Sequence, residues 1–92
     1  MWALTVKGRL LGCQFSGDWW VRTMPMFGYP AAVNDGVVQS DGVFSLTASL
    51  YWERYLLVIG RDRKPVKTIA VDVAAGKTND IGAVDLAGYC PK

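Results

Sequence analysis

Apolar and polar residues alternate with a period of two in several segments of the chain, most clearly between Val38 and Ile59. A period of two is typical of a β-strand that buries one of its faces. The alternating apolar positions of this stretch are Phe44, Leu46 and Ala48 in one run and Tyr55, Leu57 and Ile59 in the next. The pattern therefore predicts two strands joined by a short connection.

Turn signals separate the predicted strands. Ser40-Asp41-Gly42 predicts a turn, because Asp can accept a hydrogen bond from the backbone two residues on and Gly supplies a positive φ. Asn34-Asp35-Gly36 is a second such signal, and it predicts a brief hairpin between Ala31–Val33 and Val37–Gln39.

Further strands follow from the same alternation. They are predicted over residues 4–10, 19–24, 68–73 and 81–86. The second of these has an ambiguous apolar face, because Trp19 and Trp20 are adjacent. Loops are expected at 14–18, 60–65 and 75–80, and the tail from Gly88 is expected to be irregular. Met24–Pro30 is expected not to form a central strand, because its two prolines cannot donate to a ladder.

The fold class follows from the spacing of these segments. No helical period extends over about 11 residues, and about seven short strands recur every 8–12 residues with turn signals between them. This spacing predicts an all-β fold, a seven-stranded antiparallel β-sandwich. The 92 residues are expected to form a single domain, residues 1–92.

Composition and charge exclude several classes of protein. The net charge of +2 is too small to indicate a nucleic-acid partner, and no apolar run reaches the ~18 residues of a membrane span. The N-terminus lacks the basic start and apolar core of a signal peptide. We expect a protein made in the cytoplasm and kept there, or one that leaves by another route or has lost its signal.

Four segments stand in the order found in one known family: Val6–Leu10, Gln39–Ala48, Arg54–Gly60 and Val66–Leu86. Their motifs are an Asp-Gly turn before Phe-Ser-Leu, a Tyr-x-Leu-x-Val strand, and an Ala-Gly-x-Thr turn before Ile-Gly. The chain resembles the carboxypeptidase regulatory-like domain, a prealbumin-like (transthyretin-like) Greek-key sandwich. The resemblance covers residues 4–12 and 37–86, and residues 13–36 depart from the family pattern.

The resemblance implies a module that stabilises or binds, because such domains accompany peptidases, receptors, adhesins and surface or virion proteins and are seldom catalytic. The hydroxyisourate hydrolases are similar in fold but use histidines and a C-terminal Tyr-Arg-Gly-Ser. This chain has no histidine and ends Tyr-Cys-Pro-Lys.

Candidate chemistry is sparse. Without His, a Ser-His-Asp or Cys-His arrangement and a zinc held by imidazoles cannot form. Asp41 with Asp62, or Asp80 with Asp85, could supply paired carboxylates, but acids in turns usually bond the backbone. The run Gly76-Lys77-Thr78 lacks the preceding glycine of a phosphate-binding loop, and no loop has the ligand spacing of a calcium site. We expect no enzyme, no cofactor and no metal.

Two cysteines, Cys13 and Cys90, lie near the two ends of the chain. One interpretation is a pair of reduced thiols in a cytosolic protein. The other is a disulfide that ties the first strand to the tail and adds roughly 4 kcal/mol in the chain-entropy model.

Aromatic residues exceed what a small core needs, and they suggest three interpretations: core caps, a protein–protein interface, or sugar stacking on Trp19, Trp20 or Trp52. Leu56 and Val58 lie on the predicted outward face of their strand and add to the interface hypothesis. The predicted interface residues are Trp19, Trp20, Met26, Phe27, Tyr29, Leu50, Tyr51, Trp52, Leu56 and Val58.

The sequence thus favours a non-enzymatic structural or protein-interaction module, a subunit of a homo- or hetero-oligomer such as a phage tail, baseplate or capsid. The expected location is the virion or the cytoplasm. The alternatives are a carbohydrate or host-surface binding module and a small inhibitor or regulator from a mobile element.

Overall fold

The computed structural model describes residues 2–25, 34–50, 54–72 and 78–90, with side chains described for 5–24, 35–47, 54–72 and 78–90. Within these ranges the chain is all β, with two sheets and no helix, and no segment there is a helix that could cross a membrane. Its strands are β1 (Trp2–Leu11), β2 (Trp19–Pro25), β3 (Asn34–Val37), β4 (Val43–Leu50), β5 (Arg54–Arg61), β6 (Lys64–Asp72) and β7 (Asn79–Asp85).

The strands form a three-stranded sheet in the order β4-β1-β7 and a four-stranded sheet in the order β3-β2-β5-β6. All pairings in the four-stranded sheet are antiparallel. In the other sheet β1 is antiparallel to β4 but parallel to β7. The prediction of purely antiparallel pairing is therefore wrong at β7. A parallel pair needs a long connection, which most of the chain provides here, and residue alternation carries no information about strand direction.

Side chains from both sheets pack into one apolar core. The alternation predicted its central members correctly, because Phe44 and Leu46 of β4 and Tyr55, Leu57 and Ile59 of β5 are all buried. The remaining members of the cluster are Val6, Leu10, Phe15, Trp19, Val21, Val38 and Leu86. The predicted strands at 4–10, 19–24, 68–73 and 81–86 correspond to β1, β2, β6 and β7.

The turn predicted at Ser40-Asp41-Gly42 is confirmed. Asp41 Oδ1 accepts a hydrogen bond of 3.1 Å from the backbone N–H of Val43, and Gly42 has a φ of +88°. A Cβ at Gly42 would overlap the carbonyl oxygen of Leu10, so a side chain is excluded there by space as well as by backbone conformation.

The turn predicted at Asn34-Asp35-Gly36 is wrong, because these residues belong to β3 and pair with β2. Gly36 is needed for a close approach and not for a positive φ, since a Cβ there would lie 2.8 Å from the Cβ of Leu46. Tertiary pairing with β2 therefore overrides the local turn preference. The predicted partner segment, residues 31–33, lies outside the described residues.

Met24 and Pro25 belong to β2, which lies between β3 and β5. Met24 thus ends the strand predicted over 19–24, and the expectation of no central strand over Met24–Pro30 is wrong at its first two residues. Pro25 pairs with Tyr55 of β5, whereas the described pairing of β2 with β3 reaches only from Trp20 to Thr23. Proline is tolerated at a strand position where no neighbour requires its missing N–H. Residues 26–30 lie outside the described part of the chain.

The charged loop predicted over residues 60–65 is shorter in the structure. β5 continues to Arg61 and β6 begins at Lys64, so that only Asp62 and Arg63 form the connection. Asp62 adopts a φ of 55°, a conformation that Asp tolerates better than most residues. Similarly, β7 already begins at Asn79 within the loop predicted at 75–80.

Candidate functional site

The face of the four-stranded sheet that points away from the core is the candidate site. Alternation along the strands places its side chains, and cross-strand register brings them side by side: Arg22 lies between Asp35 and Val58, and Met24 pairs with Leu56. We call this set the outer face; it consists of Trp20, Arg22, Met24, Asp35, Val37, Arg54, Leu56, Val58, Thr68, Ala70 and Asp72.

Several side chains of the outer face are apolar. Met24 is 37% exposed beside half-buried Leu56, and Val37 on the edge strand β3 is 78% exposed. Val58 is only 9% exposed although it is not a member of the core cluster. Trp20, Arg22, Met24, Asp35, Val58, Asp62, Arg63 and Pro65 line one shallow depression over this part of the sheet.

Trp20 is held in a defined orientation on the outer face. Its Nε1–H donates a 2.6 Å hydrogen bond to the carbonyl oxygen of Asp62, and its ring lies over the backbone of Gly60. The guanidinium carbon of Arg22 is 5.2 Å from the indole centroid, within cation–π range. A half-buried aromatic ring fixed in this way presents a rigid surface.

Two ion pairs lie on the outer face, and Arg22 of one of them stands between Trp20 and Met24 of β2. Arg22 Nε lies 2.6 Å from Asp35 Oδ1, and Arg54 Nε lies 2.7 Å from Asp72 Oδ1. The hydrogen bond from Arg22 lowers the pKa of Asp35 below its ordinary value, and the hydrogen bond from Arg54 lowers the pKa of Asp72 in the same way. The charges of the outer face are thus neutralised within it.

The opposite outer surface, on the three-stranded sheet, is mostly polar. Among the residues whose side chains are described, its apolar members are Leu11, Val43 and Ala83, at strand ends or on its edge strands. The other members are Thr5, Lys7, Arg9, Ser45, Thr47, Asp80 and Asp85. The two outer surfaces therefore differ in character, and the apolar one lies on the four-stranded sheet.

The structure corrects one predicted interface residue. Trp19 is only 3% exposed and packs edge-on against Phe15, with 5.0 Å between ring centroids. The alternation along β2 turns Trp19, Val21 and Thr23 inward, so Trp20 rather than Trp19 faces outward.

The other predicted interface residues divide into two groups. Trp20, Leu56 and Val58 lie together on the outer face. Leu50 is the last residue of β4, and its side chain is not among those described. The remaining predicted interface residues lie wholly outside the described part of the chain: Met26, Phe27, Tyr29, Tyr51 and Trp52. The predicted interface did not include Met24 and Val37. Met24 could have been found from the alternation along β2, because it lies two positions after Arg22 and four after Trp20.

Cys13 and Cys90 form a disulfide, with Cα atoms 5.6 Å apart. The interpretation of Cys13 and Cys90 as two reduced thiols is therefore wrong. The bond fixes the tail beside β1, where the Leu86 N–H also donates a 2.8 Å hydrogen bond to the Leu11 carbonyl oxygen.

Three of the four acidic residues considered as paired carboxylates, Asp41, Asp80 and Asp85, accept hydrogen bonds from the backbone. Asp80 Oδ1 accepts from Gly82 N–H and Asp85 Oδ1 accepts from Ala87 N–H, each at 2.9 Å, as Asp41 does in its turn. Among the described residues no group of three His, Cys, Asp or Glu side chains is placed to hold a metal ion.

Tyr55 places a titratable hydroxyl at the core. The hydroxyl of buried Tyr55 accepts a 3.1 Å hydrogen bond from Asn79 Nδ2, and burial raises the pKa of Tyr55 above its ordinary value.

Comparison of the chain with protein-family models and with curated proteins finds no match in either.

Proposed function

We propose that this protein is a non-enzymatic structural module that assembles with other protein subunits through the outer face. The observation that carries the proposal is the asymmetry between the two outer surfaces, one polar and one that carries Trp20, Met24, Leu56 and Val58. Trp, Met and Arg are enriched at protein interfaces.

Pairing lowers the cost of covering the charges of the outer face. Covering an unpaired charge is costly, whereas Arg22 with Asp35 and Arg54 with Asp72 already neutralise each other. The same pairs offer both signs of charge to a partner. A surface that carries both signs can be complementary to itself, so the partner that we propose is a second copy related by a two-fold axis.

The finer architecture is part of the proposal. We infer a prealbumin-like Greek-key sandwich that resembles the carboxypeptidase regulatory-like domain. The core shared by both sheets and the Asp41-Gly42 turn before β4 support it. Modules of this kind act as appended or structural domains, and a subunit of a virion such as a phage tail, baseplate or capsid fits such a role.

Sugar stacking has less support than a protein interface. Trp19 is in the core, and the ring of Trp20 is packed on Gly60 and lies beside Arg22. A sugar needs an uncovered aromatic face, and neither Trp19 nor Trp20, the two tryptophans whose side chains are described, offers one. A protein partner could still contact the edge of the Trp20 ring.

Sedimentation velocity tests the proposal. Wild-type protein should form a dimer as its concentration rises from about 10 µM to about 1 mM, the range of weak specific association. Leu56→Glu places a charge beside Met24 on the outer face and should remain monomeric at the same concentrations. Thr47→Glu makes a similar change on the polar surface and should behave as the wild type.

Circular dichroism and thermal unfolding of both variants establish that the fold is retained. A wild-type monomer over the whole range, or equal weakening by both variants, would contradict assembly through the outer face.

A further inference from the structure

A second candidate site lies at the end of the core, beside the disulfide. It is a depression of about 270 Å³, closed on one side by the Cys13–Cys90 bridge. We call it the Trp19–Arg61 pocket; it is lined by Cys13, Gln14, Ser16, Trp19, Arg61 and Cys90.

Trp19 of β2 and Arg61 of β5 are direct cross-strand neighbours. The backbone of the loop before β2 passes over the arginine, since a Cβ at Gly17 would lie 3.6 Å from the Nε and Nη2 atoms of Arg61. The backbone N–H of Asp62 donates a 2.8 Å hydrogen bond to the carbonyl oxygen of Asp18, which ties the same loop to the end of β5. Arg61 is thereby confined beneath the loop.

Each of the two residues has an unused hydrogen-bond donor. The Nε1–H of Trp19 and the Nε–H of Arg61 are buried, and neither has an acceptor among the described residues. Trp19 itself is only 3% exposed, so its indole N–H cannot turn to bulk solvent. Buried donors are normally paired, and leaving them unpaired costs stability.

Both groups donate hydrogen bonds and neither accepts them. An indole N–H is a donor only, and a guanidinium is a donor that keeps its positive charge. Arg61 takes part in neither of the ion pairs that the described residues form. The complementary ligand is therefore an anion with two acceptor oxygens that are planar and adjacent, because a guanidinium matches that geometry.

We propose that the Trp19–Arg61 pocket binds a carboxylate. The carboxylate is held by the half-buried side chain of Arg61 beside the buried indole of Trp19, with the exposed side chains of Gln14 and Ser16 at the rim. The size of the depression suits a short carboxylic acid or the end of an Asp or Glu side chain from a partner protein. The disulfide forms one wall and holds the pocket closed on that side.

This site does not depend on the outer face. Trp19 points into the core and Trp20 points away from it, so a ligand in the pocket and a partner on the outer face occupy different sides of β2. Failure of one proposal leaves the other intact.

The experiment follows the indole Nε1–H signal of Trp19 in ¹⁵N-labelled protein, assigned through the backbone so that no Trp19 variant is needed. Sodium acetate should shift this signal saturably with a Kd on the order of 1–10 mM, the affinity of a small ligand held by few contacts. Sodium chloride at equal ionic strength should leave it in place.

Arg61→Gln should weaken acetate binding at least about tenfold, because it removes the charged donor. Arg63→Gln removes the same charge from the exposed hairpin tip and should bind acetate as the wild type does. A signal that does not saturate, an equal shift with chloride, or equal loss in both variants would overturn the proposal and leave water as the occupant.

A second arm identifies the source of the carboxylate. The probe is a capped Gly-Glu-Gly peptide, with Gly-Gln-Gly as its matched control. Saturable binding of the Glu peptide without binding of acetate assigns the pocket to an acidic side chain of a protein, and binding of acetate alone assigns it to small acids. Binding of the Gln peptide as tightly as the Glu peptide would contradict a carboxylate site.

Discussion

The indole ring of Trp20 lies directly on the backbone of Gly60, its cross-strand partner in β5. The space is available only because Gly60 has no Cβ, since a Cβ there would overlap the six-membered part of the ring. The hydrogen bond from Trp20 Nε1 to the Asp62 carbonyl oxygen holds the ring in that space. A glycine in the middle of a sheet thus sets the shape of the outer face.

Gly60→Ala should displace the Trp20 ring and lower the free energy of unfolding by about 1–3 kcal/mol, the usual cost of overpacking. Urea denaturation measures this cost. The control is the same substitution in a Trp20→Ala background, where the cost should nearly disappear because the overlapping ring is gone. An equal cost in both backgrounds would show that the ring is not its cause.

Gly42 and Gly88 have the same φ, +88°, but different surroundings. Gly88→Ala should cost about 1–2 kcal/mol for the left-handed conformation alone, since nothing lies within 4 Å of its Cβ position. Gly42→Ala should cost at least about 2 kcal/mol more, because its Cβ would meet the carbonyl oxygen of Leu10. Denaturant midpoints compare the two, and equal values would refute the packing argument.

The Cys13–Cys90 bridge closes a loop with a sequence separation of 77. Replacing both cysteines with Ser should lower the free energy of unfolding by about 4 kcal/mol in the chain-entropy model. Guanidinium denaturation of the wild type with and without dithiothreitol should give a similar difference. The reductant should not affect the double variant, and a loss below about 1 kcal/mol would contradict a stabilising role.

Burial raises the pKa of Tyr55 in the folded state above its ordinary value of 10.0. The unfolded chain therefore releases this proton first as the pH rises, so the contribution to stability is constant below about pH 10 and declines above it. Tyr55→Phe should make the alkaline decline less steep and cost about 1 kcal/mol at pH 7, because Asn79 Nδ2 loses one of its two acceptors and keeps only the Asp72 carbonyl oxygen.

The matched control for this effect is Tyr89→Phe, since Tyr89 is 53% exposed. It should retain the steep alkaline decline in thermal or urea unfolding between about pH 8 and pH 11. Identical profiles for wild type and Tyr55→Phe would show that burial of the Tyr55 hydroxyl is not coupled to folding.

Two kinds of feature could be predicted from the sequence: strands that bury one face, and turns whose hydrogen bonds join neighbouring residues. The alternation located Phe44 and Leu57 in the core, and the Asp41-Gly42 turn depends only on neighbouring atoms. Asn34-Asp35-Gly36 has the same local preference but lies in β3, because tertiary pairing with β2 outweighs it. The parallel direction of β7 likewise has no local signal.

The candidate site could be predicted only in part for a similar reason. Leu56 and Val58 follow from alternation in a strand with a clearly apolar inner face. In β2 the inner face includes buried Thr23, which weakens the pattern and left the orientation of Trp19 and Trp20 open. The unpaired donors of Trp19 and Arg61 depend on how a loop folds over the end of the core, and no sequence pattern describes that arrangement.

The central claim is that a second copy of the chain covers the outer face, and an NMR dilution series tests it most directly. Between about 10 µM and 1 mM, the signals of the Trp20 indole N–H and the methyl groups of Met24, Leu56 and Val58 should shift with concentration. Signals of Lys7, Ser45 and Thr47 on the polar surface should stay constant. Shifts confined to the polar surface, or no concentration dependence at all, would contradict the account.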